Sequence, residues 1–138
     1  MISGTYILLL VLDKNRVITT KRSRFHLNRG FYAYVGSALN NLDSRLKRHL
    51  SKNKKLHWHI DFLLEKAVIL KIIYITSNKR IECGLAKSLN NKFECIRNFG
   101  SSDCKCTGHL FFSENYKKLE NAAVICLRKR SAMGSSRV

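Results

Sequence analysis

Two apolar runs constrain this chain more than any other feature. Gly4 to Leu12 reads GTYILLLVL, and Val68 to Thr76 reads VILKIIYIT. Both mix β-branched, aromatic and leucine side chains almost without a polar break, the pattern of a buried strand. Proline is absent from the sequence, so turns rest on Gly, Asn, Asp and Ser. Asp13-Lys14-Asn15 is such a turn, and Arg16 to Thr20 reads as a second strand. Lys21 to Arg29 is a basic loop. Gly30 to Val35, GFYAYV, is aromatic-rich and reads as a third strand. Together the three strands predict an antiparallel meander.

Helical spacing takes over next. Leu42, Leu46 and Leu50 recur every four residues and predict a helix over about 42–50 with those leucines buried. Asn40 or Asn41 can cap it. Arg45, Arg48 and His49 flank the stripe, with Arg45 and His49 one turn apart. Lys52 to Lys55 is a polar connection, and His57 to Leu64 a short helical or irregular element. A helix is expected over 80–91 with Ile81, Leu85 and Leu89 inward. Phe93 to Ile96 and His109 to Phe112 read as short strands. A last amphipathic helix, 115–128, turns Tyr116, Leu119, Ala123 and Leu127 inward. No repeat or linker divides residues 1–130, which read as one domain; 131–138, SAMGSSRV, reads as a flexible tail or expression scar. The expected fold is α/β of the α+β type, a mainly antiparallel central sheet flanked by helices.

Charge narrows the partner. The chain carries 26 Lys and Arg against 9 Asp and Glu, a formal net charge of +17. Such a field draws polyanions, and binding that releases their counterions weakens with salt. Nucleic acid is therefore the expected partner, with a generic basic protein as the plain alternative. No run of about 18 apolar residues exists to span a membrane. The N-terminal segment lacks a basic leader and a small-residue cleavage site, so it reads as a strand rather than a signal peptide. Five cysteines, an odd count, argue against a secreted disulfide scaffold and for the cytoplasm.

Two short motifs carry the chemistry. Gly4-Thr5-Tyr6 opens the first strand. Tyr34-Val35-Gly36 closes the third and leads through a polar loop to Arg45. This arrangement resembles the GIY-YIG endonuclease superfamily. The long stretch between the tyrosines is similar to a less-studied branch found alone and fused to repair domains. HWHIDFL at 57–63, ECGLA at 82–86 and FGSSDCKCTGHLFF at 99–112 resemble that branch too.

The resemblance implies a metal-dependent endonuclease that hydrolyses nucleic-acid phosphodiesters, DNA ahead of RNA, in repair or recombination. It implies that Tyr6 orients or deprotonates the attacking water, and that Tyr34 and Arg45 hold the phosphate. It also implies that Glu82 binds one Mg²⁺ or Mn²⁺. A single carboxylate completed by waters is an ordinary magnesium arrangement. His49 stands where the repair-type relatives carry a Tyr, and is expected in support. Ser37 stands where they often have Lys. Arg22 and Arg24 in the basic loop, with Ser37, Lys47 and Arg48, are the expected nucleic-acid contacts.

Bland readings stand beside these. Tyr6 and Tyr34 are also ordinary strand aromatics, Arg45 and Arg48 a solvated face, and Glu82 a compensation of the helix dipole. His57 and His59 flank Trp58; buried histidines held by Asp61 are preferred over a metal pair, and Trp58 reads as a core anchor or a base-stacking platform. Cys104, Cys106 and His109, with Cys83 upstream, offer a zinc set, but CxCxxH is not the usual knuckle spacing and structural zinc is not favoured. The stretch Phe99 to Asp103 is a plain turn or a phosphate-facing loop. The alternative functions are a non-catalytic nucleic-acid-binding module on the same fold and a zinc-stabilised adaptor.

Overall fold

The structure, a computed structural model, describes residues 2–101, 105–130 and 136–137. Strand β1 (Gly4–Leu12) is followed by β2 (Arg16–Thr19), β3 (Arg24–Leu27) and β4 (Gly30–Ala38). Helices α1 (Leu42–Leu50) and α2 (His59–Leu64) lead to β5 (Val68–Thr76) and helix α3 (Glu82–Asn90). Short strands β6 (Glu94–Cys95) and β7 (Leu110–Ser113), helix α4 (Tyr116–Arg130) and the two-residue β8 (Ser136–Arg137) complete the order. The fold is α+β. Its main sheet runs β6-β7-β4-β1-β5-β8 with every neighbouring pair antiparallel.

The two apolar runs are the inner strands β1 and β5. Side chains alternate across a strand, so β1 is covered on both faces, whereas β5, expected to be buried throughout, is covered only from Ile72 to Ile75 and leaves Val68 and Leu70 exposed. Tyr6, Leu8, Leu10 and Leu12 face one core, shared with Leu42 of α1, Ile60 and Leu63 of α2, and Phe99. Ile7 and Leu9 face the other, shared with Leu85 and Leu89 of α3 and with Leu119, Ala123 and Leu127 of α4. Helices therefore cover both faces of the sheet. The inward residues expected for α3 and α4 are the ones that pack.

The expected meander is not formed. β1 pairs directly with β4, Tyr6 opposite Gly36 and Leu8 opposite Tyr34. Part of the expected basic loop, Arg24–Leu27, is a strand that pairs with β2 as a separate hairpin. Ile18, Phe25 and Leu27 go into the first core while Arg24 and His26 stay exposed. Three apolar anchors thus lay the hairpin over the sheet instead of into it. Ser136–Arg137 pairs with β5.

Helix α1 starts where Asn41 accepts the Ser44 N–H at 3.0 Å. Its buried stripe is not the one the leucines suggested: Leu50 is 58 % exposed, and His49 is buried at 3 %. The helix turns about 100° per residue, so a four-residue step drifts by about 40°. Two such steps carry Leu50 away from Leu42, whereas seven residues bring His49 almost back beneath it. Among the described residues no helix is long and apolar enough to cross a membrane.

Candidate functional site

A cleft of about 490 Å³ opens where β4, α1 and α3 meet. β4 contributes Tyr34, Gly36 and Ser37, α1 contributes Arg45, and the first residue of α3 contributes Glu82. Trp58, His59 and Arg80 complete much of the wall. Tyr34, Arg45 and Glu82, from three different elements, thus share one cavity.

Tyr6 lies just behind this wall. In the β1–β4 register it sits opposite Gly36 and diagonal to Tyr34, so both phenols project from the same face. Gly36 is required here: a Cβ would come 2.5 Å from the Tyr6 Oη and Cζ. The Tyr6 hydroxyl meets His49 Nε2 at 2.6 Å in a buried contact. The Tyr34 ring stands edge-on to His49, with centroids 6.3 Å apart. Burial pushes the Tyr6 phenol up to about 12, and the Arg45 guanidinium draws it part of the way back. Burial also lifts Tyr34 well above the usual phenol range, with the Tyr6 and Glu82 charges adding to it. Burial, helped by the charge of Lys54, pushes His49 down to about 4. Near neutral pH this is a neutral imidazole against a neutral phenol. His49 Nδ1 has no hydrogen-bond partner among the described residues.

Arg45 faces the cleft with its charge uncommitted to an acid. Its Nη1 donates to the Ser37 carbonyl at 3.1 Å, and no described carboxylate pairs with it. Its guanidinium lies 4.4 Å from the centroid of Trp58, and that of Arg48 lies 4.7 Å from the same ring. Arg48 is anchored from below, donating to Asp61 Oδ2 at 2.8 Å. The same oxygen accepts the backbone N–H of His57 at 3.0 Å and of Trp58 at 2.9 Å. Asp61 is fully buried and is the residue that sequence reasoning undervalued. It was expected to hold imidazoles; instead it holds the backbone at the start of α2. The signal was the spacing Trp58-x-x-Asp61, that of an acid at the third helical position reaching back to its own cap. His57 is exposed, and His59 is half-buried with its Nδ1 accepting the Gly100 N–H at 2.9 Å. That amide is thus committed to a ring rather than presented to a phosphate. Trp58, 36 % exposed, is a surface platform and not a core anchor.

Glu82 is nearly buried, its side chain 11 % exposed. Oε1 accepts from Arg80 Nε at 2.7 Å, and Oε2 lies 4.0 Å from His109 Nδ1. Behind it, the ligand atoms of Cys83, Cys106 and His109 all lie within 4.8 Å of one another. Cys104, Ser102 and Asp103 lie outside the described residues.

The remaining expected contacts do not reach the cleft. Arg22 and Arg24 are exposed on the hairpin, away from its wall. Lys47 is exposed and paired with Asp43 at 3.0 Å, a surface contact worth little. A family model described as "Domain of unknown function DUF123" matches residues 5–132. The chain belongs to the DUF123 family. No curated protein and no solved structure matches it. The matched span of this DUF123 domain includes Tyr6, Tyr34, Arg45 and Glu82.

Proposed function

We propose that this domain is a divalent-metal-dependent endonuclease of GIY-YIG type that hydrolyses nucleic-acid phosphodiesters, DNA ahead of RNA. One observation carries the reading: Tyr34, Arg45 and Glu82 converge from three elements on a single cleft of a strongly basic chain. The repair branch it resembles makes branched or damaged DNA the first substrate to try, and an odd cysteine count supports a cytoplasmic setting.

Each residue has a task in that reaction. Arg45, with no described acid to neutralise it, binds the scissile phosphate and steadies the charge that grows on it. The Tyr34 hydroxyl donates to the same phosphate. A phenol raised to about 12 is a poor base at neutral pH when acting alone. Tyr6, held by His49 Nε2 at 2.6 Å, serves to orient the attacking water and needs no phenolate. Glu82 would hold the hard cation: it is a nearly buried carboxylate on the cleft whose Oε1 accepts from Arg80 at 2.7 Å, and waters and phosphate oxygens would supply the other ligands. When bound, Mg²⁺ or Mn²⁺ supplies Lewis-acid charge at a phosphoryl oxygen.

A second reading, binding without turnover, is favoured by Trp58. An exposed indole with two guanidinium groups over its ring joins aromatic surface to positive charge, the combination that holds a nucleic-acid strand. Nicking of supercoiled plasmid and of labelled branched and single-stranded oligonucleotides separates the two. Wild type should cut with Mg²⁺ or Mn²⁺ and stop with EDTA. Arg45→Ala should bind yet cut about 10²- to 10³-fold more slowly, and Glu82→Ala and Tyr6→Phe should also bind without efficient cutting. Salt-dependent binding by all four proteins, with cutting by none in any metal, would establish the binding module instead.

A further inference from the structure

We infer that Cys83, Cys106 and His109 form a zinc site, a soft-metal centre distinct from the oxygen site at Glu82. The three side chains come from two separate segments. Cys83 is the second residue of α3, and Cys106 and His109 precede β7. Their ligand atoms nevertheless lie within 4.8 Å of one another. Tetrahedral zinc needs donors about 3.3–3.8 Å apart, given bonds of roughly 2.0–2.3 Å, so modest side-chain movement closes the shell.

The donor set selects the metal. Two thiolates and an imidazole suit zinc and bind magnesium poorly. The imidazole is oriented as a metal ligand is. His109 is 3 % exposed, and its Nδ1 lies 3.2 Å from the Val35 carbonyl. Donation from Nδ1 to that carbonyl would fix the tautomer in which Nε2 is the ligand nitrogen. The His109 backbone is held on both sides, its N–H donating to Phe99 O at 2.7 Å and its carbonyl accepting from Val35 N at 2.9 Å. A second cavity of about 490 Å³ gives an ion access to the thiols, while His109 lines the first cleft. Three protein ligands leave one tetrahedral position.

The site has a structural consequence. It joins the first turn of α3 to the segment before β7. Glu82 is the residue before Cys83, and its Oε2 lies 4.0 Å from His109 Nδ1. Zinc here braces the wall that carries the proposed magnesium carboxylate.

The test uses the full chain, without nucleic acid, so its outcome is separate from that of the nuclease reading. Protein stripped with chelator is titrated with Co²⁺ and then with Zn²⁺, and its folding is followed by circular dichroism. One equivalent of Co²⁺ should give intense visible bands of a four-coordinate ion and a thiolate-to-cobalt charge-transfer band. Zn²⁺ should abolish both, and excess Mg²⁺ should leave them. Cys83→Ser and Cys106→Ser should each weaken the charge-transfer band and lose stoichiometric binding; Cys126→Ser, in α4, should keep both. Folded wild type that takes up neither ion overturns the inference, whether or not the variants fold. So does a wild-type cobalt spectrum in both ligand variants.

Discussion

Replacing Asp61 by alanine should cost about 3–5 kcal/mol of stability, the usual penalty for removing one side of a buried ion pair. The carboxylate is fully buried, and one oxygen serves three donors: Arg48 Nη2 at 2.8 Å, the Trp58 N–H at 2.9 Å and the His57 N–H at 3.0 Å. Truncation takes the acceptor from all three, including an Arg48 side chain that is only 27 % exposed. For a domain of this size each kcal/mol is worth about 4 °C, so the midpoint should fall by roughly 12–20 °C. Asp61→Asn keeps the shape and an acceptor for the backbone amides. It loses the charge opposite Arg48 and sets an amide nitrogen where Oδ1 has no hydrogen-bond partner. Its cost should be smaller, about 1–3 kcal/mol. Urea unfolding at neutral pH, read by circular dichroism, measures both. Arg48→Met combined with Asp61→Ala removes the stranded charge with its partner, so the pair should be less destabilised than the sum of the two single changes. An Asp61→Ala protein within about 1 kcal/mol of wild type would refute the reasoning. Strict additivity in the double variant would show that the two groups are not coupled.

Two further outcomes follow from the buried pair behind the cleft. His49 is held at about 4 in the folded chain against an ordinary 6.5, so the unfolded chain takes up the proton first as pH falls. Its contribution is complete above about pH 6.5 and is lost on acidification towards pH 4, an effect on the order of 3 kcal/mol. His49→Gln should flatten that part of the stability–pH curve measured by urea unfolding; an unchanged slope would show that His49 titrates normally. Gly36→Ala should cost about 1–3 kcal/mol, because its methyl would occupy the place of the Tyr6 hydroxyl end. Unchanged stability, with the His49 ring nitrogen shifts unmoved in NMR spectra, would mean that Tyr6 does not lie against Gly36.

Local order was legible in the residues themselves. The runs at Gly4–Leu12 and Val68–Thr76, the helix at Leu42–Leu50 and the inward face of α4 follow from apolar continuity and period, which need no knowledge of partners. Tyr34 and Arg45 were legible as candidates through two short motifs and their spacing, Glu82 only through the family resemblance, and all three line the cleft. Tertiary structure decided what depends on long-range pairing. It set β4 beside β1 and moved the hairpin out of the sheet, because three apolar side chains on β2 and β3 are satisfied only by covering the core. It turned His49 inward in place of Leu50, since rotation about the helix, and not a count of four, determines which residue faces the sheet. It gave Asp61 the backbone and Arg48 to hold, and it brought Cys83 to Cys106 and His109. No sequence interval encodes those meetings; they arise where separate elements are pressed together over a shared core.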